Sequence, residues 1–312
     1  MILRILVPTA VIAIAASAQN VPRTLDGQPD LQGIWSNATI TPLERPADLA
    51  GKPTLTAEEA AAYEKKVLDR NNADHRGANG DADVATAYNQ FWYDRGTKAV
   101  ATHKTSLIVD PPDGRLPALT PEAQKRFDEK RAWMDAHATD GPEGRSLGER
   151  CIIWTTAGPP MMPGPYNNNF QILQTKDRVV ILNEMIHNTR IIPLDGSPHV
   201  ASNIRQWGGD SRGHWDGNTL VVDTTNFSDD YSFRGSDRNL HLTERFTRVS
   251  PEELIYEFTL DDPTAFTKPW TAQIAVTRTK GPIYEYACHE GNYAMMDILA
   301  GARAEDAKKS PK

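Results

Sequence analysis

Period-two alternation in the second half of the chain constrains its fold more than any other feature. The run Leu254-Ile255-Tyr256-Glu257-Phe258-Thr259-Leu260 alternates, and so do residues 270–279, with Trp270, Ala272, Ile274 and Val276 on one side. Successive side chains of a strand point to opposite faces, so such a run buries one face and wets the other. Shorter β-rich runs at 170–174, 179–184 and 190–193 precede them, separated by Lys176-Asp177 and His187-Asn188. Gly217, Pro251 and Pro282 punctuate at intervals. Many short strands with tight turns predict a mainly β fold, an antiparallel barrel or sandwich.

The first half is more mixed. Residues 29–36 read as a short strand and 105–109 as another, stopped by Pro111-Pro112-Asp113-Gly114. Thr56 with Glu59 forms a capping box ahead of good helix formers at 57–70. Residues 84–93 predict a second short helix, ending at Gly96. Thr120-Pro121 supplies an N-cap and a first-position proline for a helix over 122–137. The expected organisation is therefore α+β. A strand, helix and loop region (19–148) packs on an antiparallel β domain (149–300), followed by a charged tail (301–312).

The first eighteen residues read as a secretory signal. Arg4 gives the positive start, residues 5–14 are largely apolar, and Ala16-Ser17-Ala18 is a cleavage site. A membrane anchor is the rival reading, but the apolar stretch is short for a span. No later segment is apolar enough to span, so a periplasmic or secreted protein is expected. The net charge of −7 argues against nucleic-acid partners, since phosphate contacts demand a basic surface. In an oxidising compartment the only two cysteines, Cys151 and Cys288, are expected to pair. The rival, a Cys288 nucleophile beside His289, suffers because strand neighbours point apart.

The densest polar stretch runs from Arg205 to Asn218. Asp216-Gly217 signals a two-residue hairpin turn, which would set Trp215 opposite Asn218 and His214 opposite Thr219. Parity then places Asp210, Arg212, His214, Thr219, Val221, Asp223 and Thr225 on one face, and Trp215, Leu220 and Val222 on the other. A carboxylate, a guanidinium and an imidazole in a row form a candidate proton-transfer trio. The plainer reading is the solvated outside of a sheet. Trp207 and Trp215 flank the stretch, and Trp207 is a candidate ligand contact.

Three further stretches carry candidates. His187 and Arg190 sit near a strand end, as a catalytic and a binding candidate or simply as turn-capping groups. Glu244 shares parity with Leu242 and Phe246, so it is either a buried acid or the partner of an arginine, and His241 opens the same run as a binding candidate. Tyr166, Asn167 and Asn169, after the Pro/Gly-rich 158–165 loop, suit hydrogen bonds to a polar ligand, although asparagine runs usually serve turns. The eight histidines show no H-x-H, H-x-x-x-H or H-E-x-x-H spacing, so no metal is assigned; a site built from distant strands stays open. No G-x-S-x-G, P-loop or G-x-G-x-x-G motif appears, and no cofactor is expected.

Gly33-Ile34-Trp35 at the first strand is similar to the opening of lipocalin-like barrels and makes Trp35 a candidate ligand contact. Longer stretches resemble a family of exported proteins abundant in soil bacteria, for which no activity is assigned. They are residues 105–115, Gly158-Pro159-Pro160-Met161 through Tyr166-Asn167-Asn168-Asn169, Asn183-Glu184-Met185-Ile186-His187, residues 209–215 and 284–293. The resemblance implies one full-length unit and no particular reaction. The expected function is a cofactor-independent lyase, isomerase or hydrolase acting on a carbohydrate or aromatic small molecule. A lipocalin-like binding protein and a secreted interaction protein are the alternatives, with the oligomeric state open.

Overall fold

The computed structural model describes residues 21–309 apart from 78, 81, 84–87, 155 and 232. The expected signal (1–18), part of the expected second helix (84–87) and the last residues of the tail (310–312) lie outside the described residues. Ten described strands form one antiparallel sheet: β1 (Gly33–Ser36), β2 (Ile108–Asp110), β3 (Asn169–Gln174), β4 (Arg178–Asn183), β5 (Thr189–Pro193), β6 (Asp210–Asp216), β7 (Thr219–Thr225), β8 (His241–Arg248), β9 (Glu253–Asp261) and β10 (Trp270–Thr279). Their order is β5-β4-β3-β1-β10-β9-β8-β7-β6, with β2 beside β10. The mainly β, antiparallel expectation is met.

The sheet curls until its two edges face one another. A Cβ on Gly213 of β6 would lie 2.9 Å from the Ile192 side chain of β5 and 2.7 Å from that of Leu194. Only glycine admits so close an approach. No ladder joins β5 to β6 among the described residues, so the expected barrel is not closed.

Alternation accounts for the interior. Register places Phe246 opposite Tyr256, Tyr256 opposite Ile274, and Leu260 opposite Trp270. These side chains, with Trp35, Phe170 and Phe258, are fully buried. Ring contacts run from Phe246 to Tyr256 (4.9 Å), to Phe258 (5.6 Å) and on to Trp270 (5.8 Å). Aromatic pairs of this kind add about 0.5–1.5 kcal/mol each beyond their burial.

The N-terminal region is not a separate layer. β1 stands inside the sheet, between β3 and β10. β2 begins three residues later than the sequence suggests, because Thr105 and Leu107 give their N–H groups to Pro53 and Pro42 carbonyls instead of a ladder. Helix α1 (Ala57–Arg70) carries the expected capping box between Thr56 and Glu59 and buries Ala60 and Val67. Helix α2 (Pro121–Ala136) is capped by Thr120 and opens on its proline. The expected second short helix survives, in its described part, as a single 3-10 turn at Gln90–Trp92.

Cys151 and Cys288 form a disulfide, with Cα atoms 5.8 Å apart. It ties the segment after β10 to the loop before β3. Helix α3 (Ala294–Lys309) follows and absorbs residues 301–309, expected as a charged tail. Alanine, glutamate, arginine and lysine favour helix, and the Arg303–Asp306 and Lys308–Glu305 pairs support it. No described helix is long and apolar enough to cross a membrane.

Candidate functional site

The β6–β7 hairpin differs from expectation by two residues and agrees in parity. Its loop is Gly217-Asn218, so Asp216 faces Thr219, Trp215 faces Leu220 and His214 faces Val221. Gly217 has φ +58° at the first central position, where a II′ turn demands a positive value. A shift of two leaves each residue on its expected face. That face is the outside of the sheet. Leu220, Val222 and Thr224 point inward and are fully buried.

The expected Asp210–Arg212–His214 trio is therefore corrected. Arg212 Nη1 does reach Asp210 Oδ1, at 2.9 Å. His214 shares their face but stands exposed toward the hairpin tip, well beyond Asp210. The imidazole on Asp210 comes instead from His199, in the connection between β5 and β6. His199 Nδ1 lies 2.9 Å from Asp210 Oδ2, and Val200 N donates to the same oxygen. His199 Nε2 lies 2.8 Å from Asp223 Oδ1, and His241 Nε2 bonds the other oxygen of Asp223. The result is a chain, Arg212–Asp210–His199–Asp223–His241, crossing β6, β7 and β8.

His199 thus stands between two carboxylates, one at each ring nitrogen. Burial pushes the Asp223 carboxyl up, but hydrogen bonds from His241 and His199 outweigh it and hold it below the usual aspartate range. The bond to Asp223 in turn raises His241 above the ordinary histidine value, against its partial burial. The carboxylate fixes one nitrogen of an exposed ring and leaves the other for proton exchange with a molecule in solvent. Asp210 and Asp223 were legible by parity, and His241 only as a binding candidate at the start of its run. His199 lies in irregular chain after Pro198, where no periodicity marks it.

Glu244 points the other way. Val222 faces Glu244 across β7–β8, so Glu244 joins the inner face, fully buried. Arg190 of β5 meets it there with both terminal nitrogens, at 2.6 and 3.0 Å. Tyr256 donates to Glu244 Oε1 at 2.7 Å and accepts from Met161 N. Burial works against the Arg190 cation, and Glu244 more than offsets it. Burial, then Glu244, pushes the Tyr256 hydroxyl well above its usual value. Of the two readings of Glu244, the arginine partner is the one realised, and Arg190 is spent on it rather than on a ligand. Asp210, Arg212, His214 and Glu244 do not line one cavity.

The remaining candidates scatter. Trp35 is corrected from ligand contact to core, since it is fully buried with Nε1 donating to Leu31 O. Trp207 is half-buried against the same core. Tyr166 stacks on Tyr286 at 6.4 Å, and burial followed by that neighbour pushes its hydroxyl up to about 12. Asn167 (φ +54°) and Asn169 are half-buried beside it, and Asn169 O accepts from Glu184 N. His187 is exposed in a left-handed turn, φ +41°. Residues 166–169 and 187 lie close together, where β3 begins and β4 gives way to β5.

A separate cleft of about 820 Å³ opens between α2, residues 143–154 and residues 229–231. Trp133, Met134, Leu147, Ile153 and Trp154 form its apolar walls, with Lys130, Arg150 and Asp230 among the charged groups around it. Its described lining holds no histidine.

Fold and site together define a β-rich protein whose curled sheet encloses an Arg–Glu pair and carries an Asp–His chain outside. No family model matches the chain, and no curated protein matches it.

Proposed function

We propose that the protein is an exported enzyme using histidine–carboxylate acid–base chemistry on a small molecule, without a redox cofactor. The observation that carries this reading is His241, exposed and held by Asp223 at the end of the His199–Asp210 chain. His241 exchanges the proton. Asp223 orients the ring, and His199, Asp210 and Arg212 fix Asp223. Level with Asp223 across the outer face stand Thr243, Thr259 and Thr271, a row of hydroxyls continuing from the chain. Such a row suits a hydroxyl-rich compound such as a carbohydrate, and a lyase, isomerase or hydrolase fits the groups. The disulfide supports a periplasmic or secreted location, where thiols oxidise.

The test is turnover of nitrophenyl glycosides, nitrophenyl esters and uronic-acid oligosaccharides by wild type, Asp223→Asn and His241→Gln. Loss of a proton-transfer group should lower the rate about 10²- to 10⁴-fold. No turnover of any class, or equal turnover by the variants, counts against the reading.

A second reading is a lipocalin-like binding protein without chemistry. The cleft with Trp133 and Trp154 favours it, because aromatic walls with a few charged groups suit ligand capture. Ligand binding that persists in Asp223→Asn, with no conversion by wild type, would select it.

A further inference from the structure

We infer that the pocket between residues 39–43, residues 162–165 and Arg234 binds a small carboxylate with an apolar body. Its volume is about 400 Å³, at the small end of ligand sites. Leu107, Met162 and Pro165 supply apolar wall, and Arg95 and Arg234 supply charge. No aspartate or glutamate is among its described lining residues. Every other polar constellation above mixes the two signs; this one does not.

The two guanidinium groups are placed but not neutralised. Arg95 lies over the Tyr93 ring, 3.8 Å from its centroid, and donates Nη1 to Asn71 O. Neither contact carries an opposing formal charge, so most of its planar fork stays available. Arg234 makes no ion pair with any described carboxylate. Its backbone is left-handed, φ +56°, a conformation costly for a side chain with a Cβ. Gly235 beside it has φ +103° and sits where a Cβ would come 2.8 Å from the Leu119 side chain. The turn carrying Arg234 is thus fixed by packing on its far side.

Two unneutralised arginines on one small pocket repel, and an anion placed between them relieves that repulsion. Guanidinium matches carboxylate in geometry as well as charge, through paired N–H donors. The apolar wall then asks for hydrocarbon rather than more charge. This site shares no residue with the His241 chain, so it stands or falls independently of the acid–base reading.

The experiment is calorimetric titration of the full mature chain with benzoate, phenylacetate and hexanoate, against benzamide and inorganic phosphate. At least one carboxylate should bind with one-to-one stoichiometry, and benzamide about tenfold or more weaker, since only the charged group gains the strong bonds. Arg234→Gln and Arg95→Gln should each weaken the carboxylate about tenfold, and Arg234→Lys by less, because it keeps the charge. Thermal midpoints without ligand report whether the variants remain folded; Arg234, exposed and unpaired, is the safer site. No binding of any carboxylate at millimolar concentration overturns the inference. So does benzamide binding as well as benzoate, affinity unchanged in the double variant, or phosphate preferred over all three carboxylates.

Discussion

Arg190 and Glu244 meet as a two-pronged pair inside the curled sheet, at 2.6 and 3.0 Å, although one stands on the edge strand β5 and the other on β8. Strands far apart in sheet order are brought together only by the curl. Tyr256 completes the arrangement from β9, and through its oxygen it also holds the Met161 amide of the 158–165 loop. The pair thereby joins the sheet's edge, its middle and a loop at one point.

Arg190→Met should destabilise the protein by about 3–5 kcal/mol, because it leaves a carboxylate buried without its cation. The double variant Arg190→Met/Glu244→Gln should recover most of that loss. No charge then remains inside, and the glutamine oxygen still accepts from Tyr256. Urea unfolding compares the two; a double variant no more stable than the single one contradicts the account.

Cys151→Ser should lower stability by about 2–4 kcal/mol, the usual effect of releasing a long loop. The bridge closes a separation of 137 residues. Thermal melting measures the loss, and thiol labelling of the unfolded, unreduced wild type should find no free thiol.

The Asp223–His241 bond predicts a stability profile with a defined sign. The folded-state pKa of His241 is raised above 6.5. Its contribution is therefore complete below that value and fades as pH rises through the raised one. That of Asp223 is lowered below 3.8, so its contribution is complete above 3.8 and fades as pH falls through the lowered value. The bond therefore contributes fully only between about 3.8 and 6.5. The gap in melting temperature between wild type and His241→Gln should be largest near pH 5 to 6 and shrink toward alkaline pH. A gap independent of pH would refute the assignment.

His214→Gln should change stability by less than about 0.5 kcal/mol, as exposed substitutions away from special features do. It should also leave any activity that depends on His241 untouched. A large loss from His214→Gln alone would show that the outer-face chain has been assigned to the wrong imidazole.

Much of the sheet was legible because alternation is a local property. Residues 254–260 and 270–279 carry their buried and wet faces in their own order, and β9 and β10 follow them closely. The Thr56–Glu59 box and Thr120-Pro121 likewise mark helix starts through contacts three residues apart. Parity also survived a misplaced turn: Asp210 and Arg212 stayed on one face, and Leu220 and Val222 on the other, although the β6–β7 register moved by two.

What parity left open was which face is inside, since both sides of β6 carry polar residues. That was decided by the curl, which turned Gly213 toward Ile192 and Leu194 and left Asp210, Arg212 and His214 outside. His199 and the Arg190–Glu244 pair were equally beyond local reading. One lies in irregular chain, and the other joins strands 54 residues apart in sequence. The sequence by itself determined the strands, the caps and which side chains share a face, because those depend on neighbours along the chain. Only the tertiary structure decided which imidazole meets which carboxylate, because that depends on how far a twisted sheet curls before its edges touch.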